Sequence, residues 1–155
     1  MPSAYQVQGR TQYSWTDTAA LDNLVLNNNV PKPTSIPEGH ALIRIRAAAL
    51  NARDNMVIAH DPLYPGPHIE DVVPCADGAG EIEAIGESSR FKVGDKVIIN
   101  PNAWQDWNYD GSKGEMMGYV ECRTLGAGQT NGTLTEYAVI VCCSYLSTKL
   151  ERSKC

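Results

Sequence analysis

The chain has 155 residues and carries 13 Lys plus Arg against 18 Asp plus Glu, a formal net charge of −5. That length suffices for one domain whose core needs no disulfide or metal staple, and 43% hydrophobic with 20% charged residues excludes wholesale disorder. The acidic balance argues against nucleic acid as a partner, and no apolar run approaches the roughly 20 residues of a membrane span.

The opening Met1-Pro2-Ser3-Ala4-Tyr5-Gln6 shows neither the basic nor the apolar region of a secretory signal, so a cytoplasmic protein is expected. Pro31, Pro33, Pro37 and Gly39 then punctuate a connection. Leu42-Ile43-Arg44-Ile45-Arg46 alternates with period two and predicts a strand with one wet face. Ala52 to His60 is the one convincing short helix, with Met56 and Ala59 facing inward and Pro62 as the stop. Gly80 to Gly86 alternates like the first strand, and Val93-Gly94-Asp95 is a turn feeding the strand Lys96 to Ile99. Asn100 to Asn131 has no regular pattern but carries Trp104, Trp107, Tyr109 and Tyr119, and irregular stretches of that length are usually functional. Thr133 to Cys143 is a longer β-prone run, and the charged end from Leu150 is expected to fray. These elements predict a mainly β fold, a partly open barrel with one or two short helices, over residues 1–146, followed by a polar tail at 147–155.

The five cysteines, Cys75, Cys122, Cys142, Cys143 and Cys155, form no disulfide framework and no C-x-x-C. Four further blocks occur in order: Ala47 to Asp54, Val73 to Ile82, Phe91 to Val97 and Gly132 to Val139. Together they resemble the N-terminal, GroES-like catalytic domain of the medium-chain dehydrogenase/reductases. The nearest branch is the zinc-independent quinone-oxidoreductase and enoyl-reductase group of fungal secondary metabolism. The resemblance runs from about Tyr5 to Leu146.

The resemblance also marks departures. Zinc-dependent members carry Cys where this chain has Asn51 and His where it has Ala76, and an amide and a methyl cannot replace thiolate and imidazole. No metal is expected. Family members continue into a Rossmann domain that binds NAD(P). Gly126-Ala127-Gly128-Gln129-Thr130-Asn131-Gly132 mimics a phosphate-binding glycine loop, but the β-prone run after it supplies no helix N-terminus. No nicotinamide cofactor is therefore expected on this chain alone.

The cleft that faces the cofactor in such proteins is matched here by three segments. Asn51, Tyr64, His68 and Asp77 are the candidate catalytic residues; an amide, a phenol, an imidazole and a carboxylate can each orient or exchange a proton with a carbonyl or hydroxyl. Trp104, Trp107, Tyr109 and Tyr119 are the candidate substrate-binding residues, able to wall an apolar pocket. Asp54 reads as a helix cap, and Cys75 as a thiol with no identifiable activating partner. The expected function is a stand-alone domain binding an oxygenated, polyketide-like small molecule and carrying out non-redox chemistry: isomerisation, dehydration or cyclisation. The alternatives are a non-catalytic binding module, or part of an NADPH-dependent oxidoreductase completed by another chain. Either a homodimer or a protein partner is expected to cover the face left by the missing cofactor domain.

Overall fold

A computed structural model describes residues 1–64, 67–101, 124–142 and 146–148. Its strands are β1 (Ala4–Val7), β2 (Leu24–Asn27), β3 (His40–Ala49), β4 (Asp77–Ile85), β5 (Lys96–Ile99), β6 (Tyr137–Val141) and β7 (Leu146–Thr148). A 3-10 turn at Thr18–Asn23 and the helix α1 (Ala52–Ile58) complete the described elements. The architecture is mainly β, and among the described residues the sheets stay open rather than closing into a barrel. Among the described residues no helix is long and apolar enough to cross a membrane.

The five-stranded antiparallel sheet runs β6-β3-β4-β5-β7. Alternation builds its core. Val97 and Ile99 on β5 are buried while Ile98 between them is half exposed, and Ile43 on β3 and Ile82 on β4 are register partners buried almost completely. Ile140, Leu146, Phe91 and Leu125 close this cluster. Strand β3 is longer than the five-residue alternation predicts, because two register irregularities, at Leu42/Ile43 and at Ile45/Ala47, let it continue past Arg46.

Strands β1 and β2 pair with each other and are absent from the period-two pattern. Each is only four residues long, and their order comes from distant partners: Val7 bridges Val72, and Ala4 bridges Thr135. They lie with α1 over a second core of Val7, Val57, Ile58, Tyr64, Val72 and Ala127. Met56 and Ala59 do face inward, Ala59 fully buried and Met56 packed against this core, but Val57 and Ile58 are buried as well. The helix also ends before Pro62 acts, because His60 turns into the left-handed region at φ 51°.

The two cores meet at residues 73–77, which join the loop after α1 to β4. Gly132 N–H donates to Val73 O (2.7 Å), Thr133 N–H to Cys75 O (2.8 Å), and Asn131 Oδ1 accepts from Val73 N–H (2.9 Å). Cys75 is held at φ 72°, a conformation that costs a non-glycine residue energy and needs such clamping. Gly132 is required by closeness: a Cβ there would fall on the carbonyl oxygens of Cys75 and Pro74.

Candidate functional site

Helix α1 begins beside this junction. Asn51 is the N-cap, with extended backbone at φ −127° and ψ 161°. Asp54, three residues on, accepts a hydrogen bond from the Asn51 backbone N–H at 2.8 Å, which fixes how the chain enters the helix. Asp54 is only 1% exposed, so its expected role as a cap is the one the structure shows. The Asn51 side chain also reaches β4, its Nδ2 donating to Asp77 Oδ2 at 2.9 Å. Two of the candidate catalytic residues, from the start of α1 and the start of β4, are thus in direct contact. The second N–H of the Asn51 amide lies beyond that bond.

Arg53 was not among the candidates. Its Nη2 donates to Asp54 Oδ1 (3.1 Å) and to Leu125 O (2.8 Å), and its guanidinium carbon lies 5.7 Å from the centre of the Tyr64 ring. Its Nη1 is buried and has no hydrogen-bond partner among the described residues. Leaving a charged N–H unpaired and buried costs more than the roughly 1–3 kcal/mol of a neutral group. The sequence did hold one signal: a cation in the first turn of a helix opposes the helix dipole and so calls for a reason.

Tyr64 and His68, the other two candidates, form a second pair. Their rings are 6.1 Å apart and nearly parallel at 21°. His68 Nδ1 accepts the Gly128 backbone N–H at 2.9 Å, so the imidazole is neutral with its proton on Nε2. Burial pushes its pKa below the ordinary value, and the charges of His60 and Arg53 push the same way. His60 is engaged too, its Nε2 lying 2.8 Å from Gly9 O. Both histidines therefore hold loops rather than standing free in solvent. Cys75 is fully buried, and burial, then the Asp54 charge, push its thiol up to about 12, which argues against a thiolate nucleophile. Trp104, Trp107, Tyr109 and Tyr119 lie outside the described residues.

Neither group implied by the fold family fits the residues at hand. Ala76 presents a buried methyl, Asn51 an amide bonded to Asp77, and among the described residues no three His, Cys, Asp or Glu side chains converge on one point. That donor set does not suit zinc. The stretch Gly126 to Thr130 is a tight turn closed by Gly126 N–H to Thr130 O (3.0 Å), and the chain beyond it leads into β6 rather than a helix. It cradles Cys75, not a pyrophosphate. A separate cleft of about 320 Å³ lies along the stripe of α1 bearing Asn55 and Ile58, against Trp15, Asp17 and Leu21, and contains none of the candidate residues.

The profile of the alcohol dehydrogenase GroES-like domain matches residues 37–145, which includes α1, the junction and both candidate pairs. The chain belongs to this family. It is 44% identical over 69 residues to the zinc-type alcohol dehydrogenase-like protein C1773.06c of Schizosaccharomyces pombe, covering 44% of this chain and 19% of that one. It is 33% identical over 113 residues to the trans-enoyl reductase FMN2 of Fusarium mangiferae, covering 66% of this chain and 28% of that one. Among solved structures, an NAD-dependent alcohol dehydrogenase superposes with a TM-score of 0.72 at 25% identity, over 96% of this chain and 39% of that one. The matched part of this GroES-like chain thus spans 19% and 28% of the length of these two curated relatives.

Proposed function

We propose that this GroES-like domain is the substrate-binding portion of a zinc-independent oxidoreductase acting on small carbonyl or enone compounds. The observation that carries the reading is the Asn51–Asp77 hydrogen bond, an oriented amide where a zinc-dependent relative has a metal-ligating thiolate. Bonding to Asp77 fixes the plane of the Asn51 amide, so its second N–H points in one direction and can donate to a substrate oxygen without reorganising. The 2.8 Å bond from Asn51 N–H to Asp54 holds the residue's backbone, which makes the side-chain position a property of α1. Likeness to an enoyl reductase of Fusarium and to an NAD-dependent alcohol dehydrogenase supports a substrate bearing a carbonyl or hydroxyl.

Since the described residues do not fit a dinucleotide, the chemistry this chain contributes is positioning and polarisation of the substrate oxygen. The same groups would serve isomerisation or dehydration, the non-redox alternative. That reading needs a domain that works without a cofactor-binding half, whereas both curated relatives are more than twice as long as this chain. Titration with 2-cyclohexenone, followed by the side-chain amide resonances of Asn51, tests the proposal. A saturable shift of the Asn51 Nδ2 signals, lost in Asp77→Ala, is expected. Shifts confined to the cleft by Trp15 and Leu21, with Asn51 unmoved, would refute it.

A further inference from the structure

We propose that Arg53 is the oxyanion-binding residue of this cleft, with Nη1 donating to the oxygen of a neutral, conjugated carbonyl compound. The inference builds on the reading of the cleft as a carbonyl site and names the group that would polarise that carbonyl. Three observations converge on it. Nη1 is a buried charged donor with no acceptor among the described residues, and such an orphan in a native protein calls for a functional reason or a missing partner. The rest of the guanidinium is already fixed, because Nη2 is shared between Asp54 Oδ1 and Leu125 O. A planar fork held at one edge presents its other edge in a set direction, which is the preorganisation an oxyanion site needs. The flat face of Tyr64 lies beside the guanidinium, 5.7 Å from ring centre to carbon, and can carry the apolar body of a conjugated ligand.

Charge selects the ligand class. Arg53 stands with two carboxylates, Asp54 and Asp77, and all three groups act electrostatically on Cys75, which places them around one point. Asp54 is taken up by Arg53 Nη2 and the Asn51 N–H, and Asp77 by the Asn51 amide, so the cationic donor left for a ligand is Nη1. A neutral carbonyl gains from it only as negative charge builds on its oxygen. Arg53 would therefore discriminate between ground state and transition state.

The test uses the whole chain and two probes of the same shape: 4-nitrophenolate, an oxyanion, and 4-nitroanisole, its neutral ether, at a pH where the phenol is ionised. Wild-type protein is expected to bind the phenolate about tenfold or more tightly than the ether. Arg53→Gln should erase that preference while leaving binding of the ether within about twofold. Melting curves check that Arg53→Gln folds; if it does not, Arg53→Lys carries the test and should lose most of the preference, because an ammonium cannot hold Leu125 O and the ligand together. An equal preference in wild type and variant overturns the assignment to Arg53. No phenolate preference in wild type overturns it as well. In both cases the cyclohexenone titration at Asn51 decides separately whether the cleft reading survives.

Discussion

The five-stranded sheet and the junction at residues 73–77 are both buried, yet different physics holds them. The sheet is a matter of apolar volume. Ile43, Ile82, Val97, Ile99 and Ile140 fill a space that other aliphatic side chains of similar size could also fill. The junction is a matter of backbone approach. Its contacts are chiefly carbonyls and N–H groups of Val73, Pro74, Cys75, Gly132 and Thr133, joined by the side chains of Asn131 and Thr133, with no side-chain atoms between Gly132 and the Cys75 carbonyl. A core built on volume yields gradually to substitution, whereas one built on backbone contact has no room for even a methyl group. The site stands on the second kind, since Asp77 follows directly from the junction.

Gly132→Ala should break that comparison open. A Cβ must displace the Cys75 and Pro74 carbonyls, so a loss of about 4 kcal/mol or more is expected, read as a chain that no longer shows a cooperative melt. Ile43→Ala should cost less, about 3 kcal/mol, and leave a cooperative transition at lower temperature, because the sheet loses volume but no hydrogen bond. If the two variants melt alike, the distinction between the regions is wrong.

Asp54→Ala comes next, at about 2 kcal/mol, combining the lost bond to Asn51 N–H with the lost partner of Arg53. Chemical denaturation would show it as a lower midpoint with unchanged slope.

The smallest effect is a pH dependence. The folded-state pKa of His68 is depressed, so its contribution to stability is complete above the unfolded value near 6.5. That contribution is lost as pH falls from there through the folded value, where protonation of Nδ1 also ends acceptance of the Gly128 N–H. Melting temperature measured from pH 7.5 down to pH 5 should fall more steeply in wild type than in His68→Gln. Parallel curves would mean that His68 does not latch the turn.

Much of the sheet was legible because alternation is a local signal: Leu42 to Arg46, Gly80 to Gly86 and Lys96 to Ile99 each display their buried face in their own residues. β1 and β2 were not, because Ala4 to Val7 and Leu24 to Asn27 owe their pairing to each other and to Val72 and Thr135. The site divides along the same line. Asn51 and Asp77 were visible as residue types in family blocks, Tyr64 and His68 as residue types in the Pro-rich stretch between two of them, and the structure joins them two by two. Which pairs form, and that Asn51 spends one N–H on Asp77, depend on a contact across 26 positions that no local pattern encodes. Arg53 went unnoticed for a related reason. In sequence it is one more arginine next to an aspartate; its distinction is an unpartnered buried nitrogen, which exists only once Leu125 and Tyr64 surround it.

The claim at the centre of this account is that the start of α1 polarises a carbonyl. The carbonyl stretching frequency of 2-cyclohexenone bound to the protein reports that directly. It should lie below the frequency in water, and the displacement should shrink in both Asn51→Ala and Arg53→Gln, since each removes one donor. A bound enone vibrating at the same frequency in wild type and both variants would contradict the account.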